Sequence, residues 1–181
     1  MKSVLISIQP KYCELIVNGK KTIEVRKNRP KIETPFKCYI YMSQGDLKDL
    51  GTYSEWIYKN RMKVIGEFIC DKVYNLVNAF GGIMFADENL NQLEPQLFRD
   101  MSCLTDKQTA DYLGSKDGYG WHISDLKIYE KPKSIMQFYK PCPIEWKNCP
   151  VCEFYSTNTG CCMNNIDRPP QSWCYVERLG E

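Results

Sequence analysis

At 181 residues and a formal net charge of +2, the chain can build one good core and is too evenly balanced to be coated in positive charge. With 43% hydrophobic and 25% charged residues it falls outside the composition of disordered chains. No apolar run approaches the length of a membrane span, and the opening run is interrupted by Gln9 and Pro10 too early for a signal peptide; the expectation is a cytoplasmic protein without a membrane partner.

Residues 3–8 alternate, with Val4, Ile6 and Ile8 on one side, and predict a half-buried strand. Pro10 suits the first turn of a helix, Leu15 and Ile16 supply an apolar stripe, and Asn18-Gly19 makes a stop. A second strand follows at Thr22-Ile23-Glu24-Val25-Arg26 and ends near Pro30, which removes a ladder donor. Strand side chains alternate sides, so Ile23 and Val25 belong to a core. Thr22, Glu24 and Arg26 then set a hydroxyl, a carboxylate and a guanidinium in a row on the other face, with Lys20 and Lys21 at its mouth. An ordinary ion pair on an exposed strand would also account for Glu24 and Arg26. Lys20, Lys21, Arg26, Lys27, Arg29 and Lys31 nevertheless make a local basic patch.

Residues 37–43 read as the next strand, with Cys38, Ile40 and Met42 on one face and Tyr39 and Tyr41 on the other. A short helix is expected over residues 52–60, where Thr52 could cap and Glu55 has capping-box spacing. Residues 62–73 are β-prone, and Gly66 within them suggests a bend or bulge. Residues 74–116 lack clean periodicity. They offer a turn at Gly81-Gly82, a short helix over 94–100, and a helix from a Thr105 cap to Leu113 with Gln108 as its capping-box partner. This stretch is expected to pack across the sheet or cover a pocket.

Residues 118–129 predict a strand with Trp121 and Ile123 on one face and His122, read as surface decoration, with Ser124 on the other. Residues 172–177 read as a closing strand after Pro169-Pro170. The sum is about six strands and three or four short helices without a βαβ rhythm. The expected class is α+β: a small, mostly antiparallel β-barrel with short flanking helices, its closure removing exposed edges, and a Cys-rich loop tail. The division is a barrel domain over 1–140, a Cys-rich, metal-binding-like insert over 141–171, and the closing strand over 172–177.

The opening Ile8-Gln9-Pro10-Lys11-Tyr12, the segment Gly19-Lys20-Lys21-Thr22-Ile23-Glu24-Val25-Arg26, the strand Gly118-Tyr119-Gly120-Trp121-His122-Ile123 and the closing run from Arg168 to Glu177 resemble the ASCH domain, a PUA-like β-barrel family. The resemblance covers most of residues 1–140 and about the last ten, and many similar proteins look to belong to bacteria and their phages. It implies a cytoplasmic protein of a bacterial or phage-infected cell, with a cleft between barrel and helix that binds RNA or a modified nucleotide. One branch resembles an amidohydrolase acting on N4-acetylcytidine, using a lysine, a threonine and a later glutamate. Lys21 matches the lysine, Glu24 stands where the threonine is expected, and Glu88 and Glu94 are candidates for the glutamate.

On the residues themselves, Lys20, Lys21 and the amides of the Gly19 turn could hold a phosphate. Arg26 offers a planar fork, and Glu24 could accept from an exocyclic amine. Tyr41 and Trp121, with Tyr39, Trp56 and Tyr119, are candidate stacking platforms for an unpaired base, or they fill the barrel ends. The nucleotide-binding set is Lys20, Lys21, Glu24, Arg26, Tyr41 and Trp121. If the protein is an enzyme, it is a hydrolase, amidohydrolase or ribonuclease-like, with Lys21 as base or nucleophile, Thr22 as a substitute hydroxyl and Glu24 orienting water. A third class is a phage-encoded module whose cleft meets a protein partner.

Of the ten cysteines, six crowd the last fifth of the chain. Cys149-Pro150-Val151-Cys152 has the spacing of a metal knuckle, and Cys162 with Cys174 could complete it, with Cys142 and Cys161 as substitutes. Four thiolates favour structural zinc, with an iron–sulfur cluster behind it. Reduced cysteines around a loop are the plainer alternative.

Overall fold

The computed structural model describes residues 2–79, 82–141 and 164–177. Strand β1 (Lys2–Ile8) leads into helix α1 (Pro10–Val17), which opens on Pro10 and ends at Asn18; Gly19 follows with φ of +68°, the left-handed conformation that glycine adopts without strain. Strand β2 (Ile23–Arg26) and strand β3 (Phe36–Met42) come next. β1 and β3 pair in parallel, with Val4 opposite Cys38 and Ile8 opposite Met42. The short helix α2 (Glu55–Asn60) is capped by Ser54, whose hydroxyl accepts from the Ile57 amide, and Thr52 instead closes a 3-10 turn over Leu47–Thr52.

Strand β4 (Lys63–Cys70) pairs with β3, and β9 (Trp173–Glu177) pairs antiparallel with β1. With β8 (Ser124–Lys133) they make a five-stranded sheet in the order β8-β4-β3-β1-β9. A second sheet has the order β2-β7-β5-β6, from β5 (Val73–Ala79), β6 (Gly82–Ala86) and β7 (Gly118–His122). The expected closed barrel is therefore replaced by two sheets, one of them mixed. The run expected as one strand over 118–129 divides at Ile123, and Asp125 takes a positive φ of 46° that turns β8 away from β7. At the seam His122 N donates to Lys72 O (3.0 Å) and Ile123 N to Thr22 O (2.8 Å).

The β5–β6 hairpin was legible only as a turn. Asn75 and Asn78 break its alternation because their side chains donate to the Asp87 and Gly114 carbonyls, 2.8 and 3.0 Å away. Helix α3 (Pro95–Ser102) and helix α4 (Asp106–Leu113) follow, and Thr105 and Gln108 form the reciprocal capping box their spacing predicts. No helix among the described residues is long and apolar enough to cross a membrane.

Three apolar layers result. Val4, Ile6, Cys38, Ile40, Phe68 and Trp121 fill the space between the sheets. Leu5, Tyr39, Tyr41, Phe138 and Val176 cover the far face of the larger sheet. Ile23, Val25, Leu76, Phe85, Phe98 and Leu113 join the smaller sheet to α3 and α4. The larger sheet keeps both faces buried by means of a bulge: its register slips between Val64 and Gly66, so Ile65 turns into the central layer while Val64 stays on the far face. A Cβ on Gly66 would stand 2.4 Å from the Lys127 carbonyl oxygen, so β8 can approach only a glycine. Gly66→Ala should lower the unfolding free energy by about 2 kcal/mol. Gly82→Ala, where a Cβ meets nothing within 4 Å, is the control and should change it little in urea denaturation.

On the far face, Lys37 Nζ (2.8 Å) and the Tyr129 hydroxyl (2.6 Å) both donate to Glu67, tying β3, β4 and β8 together. Burial pushes the Glu67 pKa up, but these hydrogen bonds and the charges of Lys37 and Lys127 outweigh it and hold the carboxyl below its usual value. A carboxyl depressed on folding contributes stability that is fully present above its unfolded pKa of about 4.3 and is lost as pH falls through the folded value. The stability gap between the native chain and Glu67→Gln should therefore shrink between about pH 6 and pH 3. A gap of constant size across that range would refute the assignment.

Candidate functional site

β2 is buried on both faces. Ile23 and Val25 enter the layer under α3 and α4, as alternation requires. Glu24 and Arg26, opposite Trp121 and Tyr119 of β7, point the other way, into the gap between the sheets. Lys21 is 2% exposed, Glu24 4% and Arg26 8%, so the polar row is an interior cluster and not a solvated strand face.

The cluster is wired into three elements. Lys21 Nζ donates to the Ser102 carbonyl at the end of α3 (2.7 Å) and lies 3.5 Å from Glu24 Oε2. Arg26 Nη2 meets Glu24 Oε1 at 3.1 Å and donates to the Ser7 carbonyl of β1 at 2.5 Å, crossing from one sheet to the other. Burial lowers the Lys21 pKa, and the neighbouring Glu24 carboxylate opposes that shift. Glu24 Oε2 and Arg26 Nε are buried without a hydrogen-bond partner among the described residues.

Above the cluster opens a cavity of about 670 Å³. Lys21, Glu24, Val25 and Arg26 are its buried lining and form its floor; Tyr12 of α1 and Tyr112 of α4 stand at its walls, and Gln9, Lys11, Gln108, Asp111 and Gln171 are its exposed rim. Lys21 Nζ lies 5.2 Å from the centre of the Tyr12 ring. Gln171 is held in place because Ser7, whose carbonyl already accepts from Arg26, donates its hydroxyl to Pro170 O (2.6 Å) and its amide to Ser172 O (2.9 Å).

Residues 6–68 match the ASCH domain. The crystal structure of ASCH from Zymomonas mobilis has the same fold, with a TM-score of 0.57 at 18% identity over 97% of this chain and 88% of that one. A tyrosine-to-phenylalanine mutant of that protein covers 98% of this chain and 92% of its own at a TM-score of 0.57. A serine-to-alanine mutant covers 97% and 89% at 0.56, both again with 18% identity. No curated protein matches the sequence. The family match thus covers residues 6–68, and the likeness to the Zymomonas mobilis structures is one of fold.

Within this ASCH fold, the expected site residues separate. Lys21, Glu24 and Arg26 come together. Lys20 is exposed and does not line the cavity, and neither does Thr22, whose amide and carbonyl are bonded to Met101 O and Ile123 N. The Gly19 turn offers no amide nest for a phosphate, since the amides of Asn18, Gly19, Lys20 and Lys21 all donate to α1 carbonyls. Glu88 and Glu94 are exposed, in the turn after β6 and at the cap of α3, away from the cavity. Tyr41 packs in the far layer of the larger sheet, and Trp121 is fully buried against Phe36 and Trp173. Neither ring is open to a stacking base. His122 Nδ1 donates to the Asp71 carboxylate at 2.6 Å, outside the cavity.

Of the cysteines expected to hold metal, Cys142, Cys149, Cys152, Cys161 and Cys162 lie outside the described residues, and Cys174 packs as a free thiol beside the far apolar layer. The wall residues Tyr12, Gln108, Asp111 and Tyr112 escaped the sequence reading. The signal for three of them was present: 108, 111 and 112 share one face of α4, while Thr109 and Leu113 bury the other.

Breaking a buried ion pair strands its partners, which typically costs 3–5 kcal/mol. Glu24→Gln, which keeps the shape but leaves Lys21 and Arg26 without an anion, should lower unfolding free energy by about 3 kcal/mol. The exposed Lys27→Gln should change it by less than about 0.5 kcal/mol. Equal, small effects in chemical denaturation would show that the cluster is not a structural unit.

Proposed function

We propose that the cavity binds an unpaired nucleotide of RNA, or a modified nucleoside, on the floor made by Lys21, Glu24 and Arg26. The PUA-like fold is one associated with RNA binding. The observation that carries the reading is the interior ion-pair cluster itself: three charged side chains at least nine-tenths buried beneath a cavity large enough for a nucleotide, between two tyrosines. A buried ion-pair cluster is often no more stable than an apolar core of the same size, and here it lies directly beneath the cavity. Tyr12 and Tyr112 offer π-faces to a base, which gives sequence-tolerant affinity.

A second reading is hydrolysis of an N4-acylated cytidine, and the lowered pKa of Lys21 favours it. A buried lysine with reduced proton affinity is suited to accept a proton from an attacking water. Without Thr22 in the cavity, that chemistry would rest on Lys21 and Glu24 alone.

Lys21→Met keeps the length of the side chain and removes the charge. Titrated with a short single-stranded RNA, and with folding checked by circular dichroism, it should bind at least about ten-fold more weakly than the native chain. Undiminished binding by a folded Lys21→Met protein would remove the cavity from the function. Release of cytidine from N4-acetylcytidine by the native chain, abolished in Lys21→Met, would select the hydrolase.

A further inference from the structure

We infer that the cavity takes its ligand base first: a neutral planar heterocycle with a donor and an acceptor on its edge meets the Lys21–Glu24–Arg26 floor, while the phosphates of the same strand stay at the rim against Lys11 and Lys27. This deepens the nucleotide reading, on which it rests, by fixing which end of the nucleotide goes in.

The basic residues of the floor are already engaged. Lys21 is bound to the Ser102 carbonyl and paired with Glu24, and Arg26 Nη2 is shared between Glu24 and the Ser7 carbonyl. A phosphate placed there would lie against the Glu24 carboxylate and lose its water, with no free amide nest to replace it, since the amides of residues 18–22 are all bonded within the fold. Among the described residues the floor leaves Arg26 Nε without a hydrogen-bond partner and Glu24 Oε2 with only the 3.5 Å ion pair to Lys21 Nζ. Both are satisfied together by a base edge that presents an amine or ring N–H beside a carbonyl, and neither pairing requires the ligand to be charged.

The rim carries both Lys11 and Asp111, and Lys27, outside the lining, lies against the wall residue Tyr112. Lys11 and Lys27 are exposed, and each lies across one wall tyrosine: Lys11 Nζ is 4.9 Å from the centre of the Tyr12 ring, and Lys27 Nζ is 5.2 Å from that of Tyr112. A base between the walls would leave its sugar and phosphate towards Lys11 and Lys27, neither of which has an ion pair among the described residues. Gln108 and Gln171, also exposed on the rim, add carboxamides that can bond to sugar or base without adding charge.

The experiment compares the four ribonucleosides, their 5′-monophosphates, pyrophosphate and a short single-stranded RNA, each titrated into the native chain and into the double variant Lys11→Gln, Lys27→Gln. Both substitutions are on the surface and leave the floor intact. At least one nucleoside is expected to bind within about ten-fold of its monophosphate, because exposed lysines add little. Pyrophosphate should not displace the RNA. The double variant should reduce the slope of log affinity against log salt for RNA by about 1.4, the value for two phosphate contacts on a single strand. Its nucleoside affinity should stay within about two-fold of native. Displacement of RNA by pyrophosphate, RNA binding without nucleoside binding, or an unchanged salt slope in the double variant would each overturn the orientation and leave nucleotide binding standing. No binding of RNA, nucleoside or nucleotide would overturn the nucleotide reading and this inference with it.

Discussion

One guanidinium holds the architecture together. Arg26 sits on the smaller sheet, pairs with Glu24 beside it, and reaches across the gap to the Ser7 carbonyl of the larger sheet. Apolar packing, backbone bonds at the Lys72 and Thr22 seams and the His122–Asp71 contact beside them also join the sheets. A directional, charge-assisted contact between two layers fixes their separation in a way that non-directional burial does not. Lys21 extends the same network to the end of α3 through the Ser102 carbonyl, just before the turn that leads into α4, the helix whose Tyr112 walls the site. Fold and site share their atoms here, and a change to one acts on both.

The parts of the fold that the sequence disclosed are those where local chemistry and tertiary packing agree. The β1 alternation, the Pro10 entry and Gly19 exit of α1, the Thr105–Gln108 capping box and the Gly66 bulge each follow from a residue whose backbone or side-chain preference decides its own conformation. The hairpin of β5 and β6 and the division at Ile123 depend on what lies opposite. Asn75 and Asn78 look like loop residues until the Asp87 and Gly114 carbonyls come within reach. Two sheets and one barrel use the same strands with the same faces, so period alone does not choose between them.

At the site, the parity of β2 was legible and its environment was not. Alternation put Glu24 and Arg26 on one face, but whether that face meets water depends on β1, which lies in the other sheet. Composition pointed toward aromatics that prove to be buried, for a related reason. Tyr41 and Trp121 sit on strands whose two faces are both buried, whereas Tyr12 and Tyr112 sit on amphipathic helices that have one face to spare. In a layered fold of this kind, helices rather than central strands are the place to seek rings available to a ligand.

Ser7 belongs to the first strand, yet all three of its hydrogen-bonding groups are committed to distant partners: its carbonyl to Arg26, its hydroxyl to Pro170, its amide to Ser172. The last two contacts span some 163 residues of chain. A polypeptide emerging from the ribosome can pair β1 with β3 early, because they are close in sequence, whereas β2 must wait for β7. The rim that carries Gln171 waits for residues 170–172 to reach Ser7. The cleft is thus unfinished until β9 has paired with β1, so its last edge is set by a contact between distant parts of the chain.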